Sequence, residues 1–126
     1  MNIGKYVGLP FIDRKSDCIT LIKTIYKNEL GIEIPDMMTS AYDSKKAFSV
    51  YQREISSNWL KLDTPQKYCV IAMATIPEHP KIIQHFGMYL GDNKMLHTLD
   101  KIGSHITDLK NYKHFIRGYY SWKANW

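Results

Sequence analysis

Cysteine is scarce in this chain: Cys18 and Cys69 are the two among 126 residues. That excludes the disulfide framework that staples many small secreted domains, and a reduced pair is expected. Long apolar runs are missing too. None approaches the ~20 residues of a membrane span, so membrane insertion is not expected. The opening stretch MNIGKYVGLPF has no charged region followed by an apolar one, so no secretory signal is read there. The chain is therefore expected to be made and kept in a cytoplasm, unless something other than a signal peptide carries it out. Phosphate-cradling glycine loops and nucleic-acid motifs are absent, and no nucleic acid partner is expected.

Apolar residues make up 44% of the chain and aromatics 13%, enough for a real core. With no repeat, low-complexity segment or flexible linker, residues 1–126 read as one domain. A net charge of +5 suits an anionic partner, but the lysines are spread from Lys5 to Lys123 without a cluster.

Met1 to Lys15 reads as a lead-in with turns at Gly8 and Pro10. Ser16 or Asp17 can then cap a helix over about Cys18–Leu30, where apolar residues recur at helical spacing and Gly31 and Pro35 end the run. A weaker helical pattern covers Met37–Ile55. Strands follow at Trp59–Leu62, Tyr68–Ala74, Ile82–Leu90, Lys94–Leu99, Gly103–Thr107 and Phe115–Trp122. Helices first and strands afterwards give an α+β class, helices packed on an antiparallel sheet.

Three residues carry candidate chemistry. A thiol at a helix start, as at Cys18, feels the positive end of the helix dipole, which favours the nucleophilic thiolate; the alternative is a small buried hydrophobe. His85 and His97 flank a hairpin around Gly91-Asp92-Asn93. If those three residues form the loop, Gly87 faces His97, and the two histidines share a sheet face as diagonal neighbours. A two-residue turn at Asp92-Asn93 would put them on opposite faces. In the first register, His85 acts as general base toward Cys18, and His97 holds the His85 ring. Gly87, lacking a side chain, leaves His97 room to lean toward His85. His79, His105 and His114 read as solvent-facing, and Cys69 as core. Zinc held by Cys18, His79, His85 and His97 is disfavoured, because no pair has the close spacing of structural ligands; no metal or other cofactor is expected.

The run DCITLIKTIYKNELGIEIP, followed by HFGMYLGDNKMLH, resembles the NlpC-type cell-wall cysteine peptidases. Their pattern is an Asp-Cys pair opening a helix that ends in Gly-Ile-x-x-Pro, then two histidines separated as His85 and His97 are. Within that family the chain is most similar to peptidases of bacteriophage tail-tip assemblies, through ELGIEIP, the Met-Leu-His triplet and IRGYYSW. The resemblance implies a papain-like α+β domain that hydrolyses the peptide stems of peptidoglycan. Cys18 would be the nucleophile, His85 the base and His97 the third polar residue, with Tyr6, Phe11, Asp17 and Gly87 near the substrate. It also implies tail-tip proteins as partners, assembly in a host cytoplasm and action from the virion on the cell wall. Three positions depart from the pattern: Phe11 replaces a tyrosine, Ile19-Thr20 replaces a small residue and glycine, and Tyr68-Cys69 replaces Gly-Asp. The lost tyrosine hydroxyl and the aromatic C-terminus (Tyr119, Tyr120, Trp122, Trp126) favour a rival reading, a structural tail component. A bacterial wall-remodelling or toxin-type enzyme is a third.

Overall fold

The computed structural model describes residues 2–13, 17–35 and 43–123. Helix α1 (Cys18–Ile25) runs into one wider turn over Tyr26–Leu30, and Gly31 stops it in the left-handed conformation (φ 67°) that glycine adopts without strain. Helix α2 (Ser44–Asn58) follows, capped by Asp43, whose side chain accepts from the Lys46 N–H. Residues 37–42 of the expected second helical region, and the alternative cap Ser16, lie outside the described residues.

Six strands come next: β1 (Trp59–Leu62), β2 (Val70–Met73), β3 (His85–Gly91), β4 (Lys94–Leu99), β5 (Gly103–Asp108) and β6 (Ile116–Trp122). They form one sheet in the order β1-β6-β2-β3-β4-β5, every pairing antiparallel. The architecture is α+β. Ile82 to Gln84 precede β3 as irregular chain, so that strand is shorter than its apolar pattern implies.

Strand alternation sorts the side chains onto two faces. Val70, Ala72, Phe86, Met88, Leu96 and Tyr120 point to the helices, where they pack with Leu21, Ile22 and Ile25 of α1 and Tyr51 of α2. Ile71, Met73 and Met95 point the other way and are covered by a short 3-10 turn, Leu109–Tyr112. The terminal strand is not an exposed aromatic edge. β6 lies between β1 and β2, Tyr120 is buried, and the Trp122 ring meets that of Trp59 edge-on. Sequence order cannot reveal that the last strand inserts into the middle of the sheet. Trp126 lies outside the described residues.

The lead-in is tied to β5 by Ser104. Its hydroxyl donates to the Tyr6 carbonyl at 2.6 Å and accepts from the Leu9 N–H at 2.8 Å, while its own N–H donates to the Leu9 carbonyl. Gly103 permits this approach, since a Cβ there would lie 2.5 Å from the Leu9 oxygen. Tyr6 is thereby folded into the core beside α1.

The hairpin between β3 and β4 turns on two residues, Asp92 and Asn93, both at positive φ (52° and 59°), as a type I′ turn requires. Gly91 pairs with Lys94. One residue, Leu90, is then bulged out, so that Tyr89 pairs with Met95 and Met88 with Leu96. Continued one step, this register sets Gly87 opposite His97. The expected three-residue loop is thus wrong, but the bulge restores the same facing.

Candidate active site

Cys18 is the first residue of α1. Asp17 caps the helix, its Oδ1 accepting from the Thr20 N–H at 3.0 Å, and the Thr20 hydroxyl accepts in return from the Asp17 N–H at 2.8 Å. This capping box gives Thr20 a job that the glycine of the family pattern could not do. Helix α1 packs on β3 and β4. The Cys18 sulfur meets the Phe86 N–H. Phe86 follows His85 in β3, so the thiol reaches the strand that carries that histidine.

His85 and His97 lie on the face turned from the helices, alongside Met73 and Met95. His85 Nε2 and His97 Nδ1 share a hydrogen bond of 2.9 Å, with ring centroids 5.1 Å apart. The bond admits two tautomers, and in the one where His85 donates from Nε2 its Nδ1 is unprotonated. Both rings are buried, His97 completely. The space over Gly87 is filled by Met95, not by a leaning imidazole: a Cβ at Gly87 would stand 2.5 Å from the Met95 sulfur.

Burial sets the charge state. It pushes the Cys18 thiol up to about 12, with the Asp17 carboxylate adding to the effect, against the lowering influence of the Phe86 and Ile19 amides. Burial likewise holds the His85 imidazolium down to about 4, and the nearby His105 contributes. The resting pair is therefore a neutral thiol and a neutral imidazole. The helix-start position favours a thiolate, but desolvation outweighs it here.

The remaining residues singled out from the sequence fall as follows. Tyr6 is buried, and its hydroxyl has no hydrogen-bond partner among the described residues. Phe11 is half-buried, and Asp17 is a buried helix cap. His79 and His114 are exposed, and Cys69 is core. His105 is not simply solvent-facing: it pairs with His97 across β4 and β5, ring centroids 4.5 Å apart. Tyr112 also packs on His97, at 4.8 Å and nearly perpendicular. Spacing along the chain gave no sign of these two neighbours, because both depend on how β5 and the turn after it return over the sheet. Among the described residues, no three His, Cys, Asp or Glu side chains gather as metal ligands.

The α+β fold thus holds a thiol at a helix start and two hydrogen-bonded imidazoles on the strands against which that helix packs. The chain belongs to the NlpC/P60 family, whose model matches residues 8–121. Members of that family are generally cysteine peptidases or hydrolases acting on peptidoglycan peptide stems. Among solved structures, the chain is similar to an NlpC/P60 family protein from Bacillus cereus at 27% identity and a TM-score of 0.66, covering 94% of this chain and 37% of that one. It shares its fold with NlpC1 from Trichomonas vaginalis (20% identity, TM-score 0.64, 94% and 42% covered). The same holds for a Staphylococcus aureus protein described as similar to lipoprotein, NLP/P60 family (22% identity, TM-score 0.57, 92% and 37% covered). The chain therefore spans only about two fifths of the length of these proteins. No curated protein matches it.

Proposed function

We propose that this chain is a thiol endopeptidase that cleaves an amide bond in the peptide stems of peptidoglycan, with Cys18 as nucleophile, His85 as base and His97 as the residue that orients His85. The observation that supports this reading is the His85 Nε2···His97 Nδ1 bond, which in one of its two tautomers leaves His85 Nδ1 unprotonated and able to accept from a thiol. Because both partners are neutral at rest, proton transfer accompanies attack. The Cys18 S–H proton passes to His85 Nδ1 as the S–C bond forms. His85 then gives that proton to the departing amine as the C–N bond breaks. Water hydrolyses the thioester with His85 again as base. The Cys18 backbone N–H, at the start of its helix, is the natural donor to the oxyanion.

We further propose that the chain works on a phage tail, opening the wall locally during DNA entry, with other tail-tip proteins as neighbours. Support for that comes from the sequence alone: the Glu29–Pro35 run, the Met95-Leu96-His97 triplet and the Ile116–Trp122 strand resemble tail-tip peptidases.

Digestion of defined stem peptides by wild type and by Cys18→Ala, with products identified by mass spectrometry, tests the chemistry. Cleavage lost in the variant is expected. Intact peptides with both proteins would leave a structural role. Mass spectrometry of purified virions tests the location, and a chain found only in bacterial wall fractions would point to a remodelling enzyme.

A further inference from the structure

For His85 to accept a proton at Nδ1, its own ring proton must be on Nε2, donated to His97 Nδ1. His97 then carries its proton on Nε2. That atom is buried and has no hydrogen-bond partner among the described residues. In the other tautomer His97 donates from Nδ1, His85 must hold its proton on Nδ1, and it cannot serve as base. The state of His97 therefore decides whether the site works, yet no hydrogen bond at Nε2 chooses it.

What surrounds His97 is aromatic. His105, its cross-strand partner, lies 4.5 Å away with the rings inclined at 56°, and Tyr112 lies 4.8 Å away at 79°. Ring faces are electron-rich, so they favour an N–H edge over a lone-pair edge. The His105 ring is itself held, its Nδ1 bonded to the Gly103 carbonyl at 3.0 Å. Such a bond requires the proton on that nitrogen, since a carbonyl only accepts.

We propose that His105, with Tyr112, is a positioning residue that holds the buried His97 in its Nε2–H tautomer by ring packing, and so keeps His85 competent as a base. This rests on the peptidase reading above and extends it to a residue outside the three assigned to the chemistry.

The test uses the full chain as wild type, His105→Ala and His105→Phe. Nitrogen-15 spectra of the imidazoles report the tautomers directly, and turnover of a stem peptide reports the consequence. In wild type His97 is expected as one Nε2–H form. In His105→Ala the spectrum should show mixed tautomers, with kcat lowered by up to about 100-fold and KM little changed. His105→Phe, which keeps a ring and removes the nitrogens, should restore both. Should His105→Ala fail to fold, Tyr112→Leu replaces it with the same readouts. A wild-type spectrum and kcat in the ring-less variant, or a phenylalanine variant as impaired as the alanine one, overturns the proposal. If wild type cleaves nothing while the spectra still respond to His105, the peptidase reading falls and the positioning role stands.

Discussion

The two faces of the sheet are buried by different means. On one, α1 and α2 lay an apolar layer over Val70, Ala72, Phe86 and Met88; the Tyr51 and Tyr120 hydroxyls meet there at 2.9 Å, while the buried hydroxyls of Tyr6 and Thr98 have no partner among the described residues. On the other, a short turn and a few aromatic rings cover a smaller cluster, yet His97 is wholly buried with an orphan nitrogen. A buried polar atom without a partner costs on the order of 1–3 kcal/mol. The first face therefore carries the larger apolar core, and the second buries the linked imidazoles of His85 and His97. Cys18 belongs to the first face, where its sulfur meets the Phe86 N–H.

One substitution on each face separates these roles most widely. His85→Gln is expected to lower stem-peptide cleavage by about 10³-fold or more, because it removes the base. Tyr51→Phe should leave turnover near wild type and cost about 1 kcal/mol in a urea melt, through the lost hydroxyl pair. Equal losses of activity from the two would erase the distinction between the faces.

Acid should act mainly through the histidine face. His85 is held at about 4 in the folded chain against 6.5 for an ordinary imidazole, so between those values the unfolded chain binds a proton that the folded one refuses. The stability from keeping His85 neutral is fully present above pH ~6.5 and is lost as pH falls through that window, by about 3 kcal/mol in all. Urea melts at pH 7 and pH 4.5 measure this, and His85→Gln should reduce the difference without abolishing it, because burial also holds His97 down to about 3. The thiol works in the opposite sense. Its raised folded value means stability lost above pH ~9, as the unfolded thiol ionises.

Much of this was legible in the residues, for reasons that differ by element. Asp17 as cap, Gly31 as stop and the continuous apolar run of β2 are local signals, and the chain obeys them. The facing of Gly87 and His97 was legible only by accident of parity: a two-residue turn plus a bulge at Leu90 shifts the register as a three-residue loop would, and no residue announces which occurs. The place of β6 inside the sheet, and of His105 and Tyr112 against His97, is decided by long-range pairing. Desolvation of Cys18 is likewise tertiary, since a helix start reads the same whether or not another layer covers it.

A smaller effect probes the packing beneath the histidines. Gly87→Ala would put its Cβ 2.5 Å from the Met95 sulfur, in a fully buried side chain, and 3.3 Å from the Leu96 carbonyl. A cost of about 1–3 kcal/mol is expected, as for other overpacked cores. A neutral result would mean that Met95 moves aside freely and that the second face is looser than its burial implies.

The smallest change belongs at the junction of the faces. Asp17 does two things that one substitution can separate: its Oδ1 caps α1 through the Thr20 N–H, and its charge raises the Cys18 thiol. Asparagine caps a helix about as well as aspartate, so Asp17→Asn should alter stability by less than about 0.5 kcal/mol, whereas Asp17→Ala should cost about 1 kcal/mol. With the charge gone, alkylation of Cys18 by iodoacetamide should reach half its limiting rate at a lower pH, while Cys69, buried in the core, keeps its profile. The shift must be modest, because burial is the larger cause and remains. A Cys18 profile unchanged in Asp17→Asn would mean that desolvation alone sets the thiol, and that the acidic residue before it serves the helix rather than the sulfur.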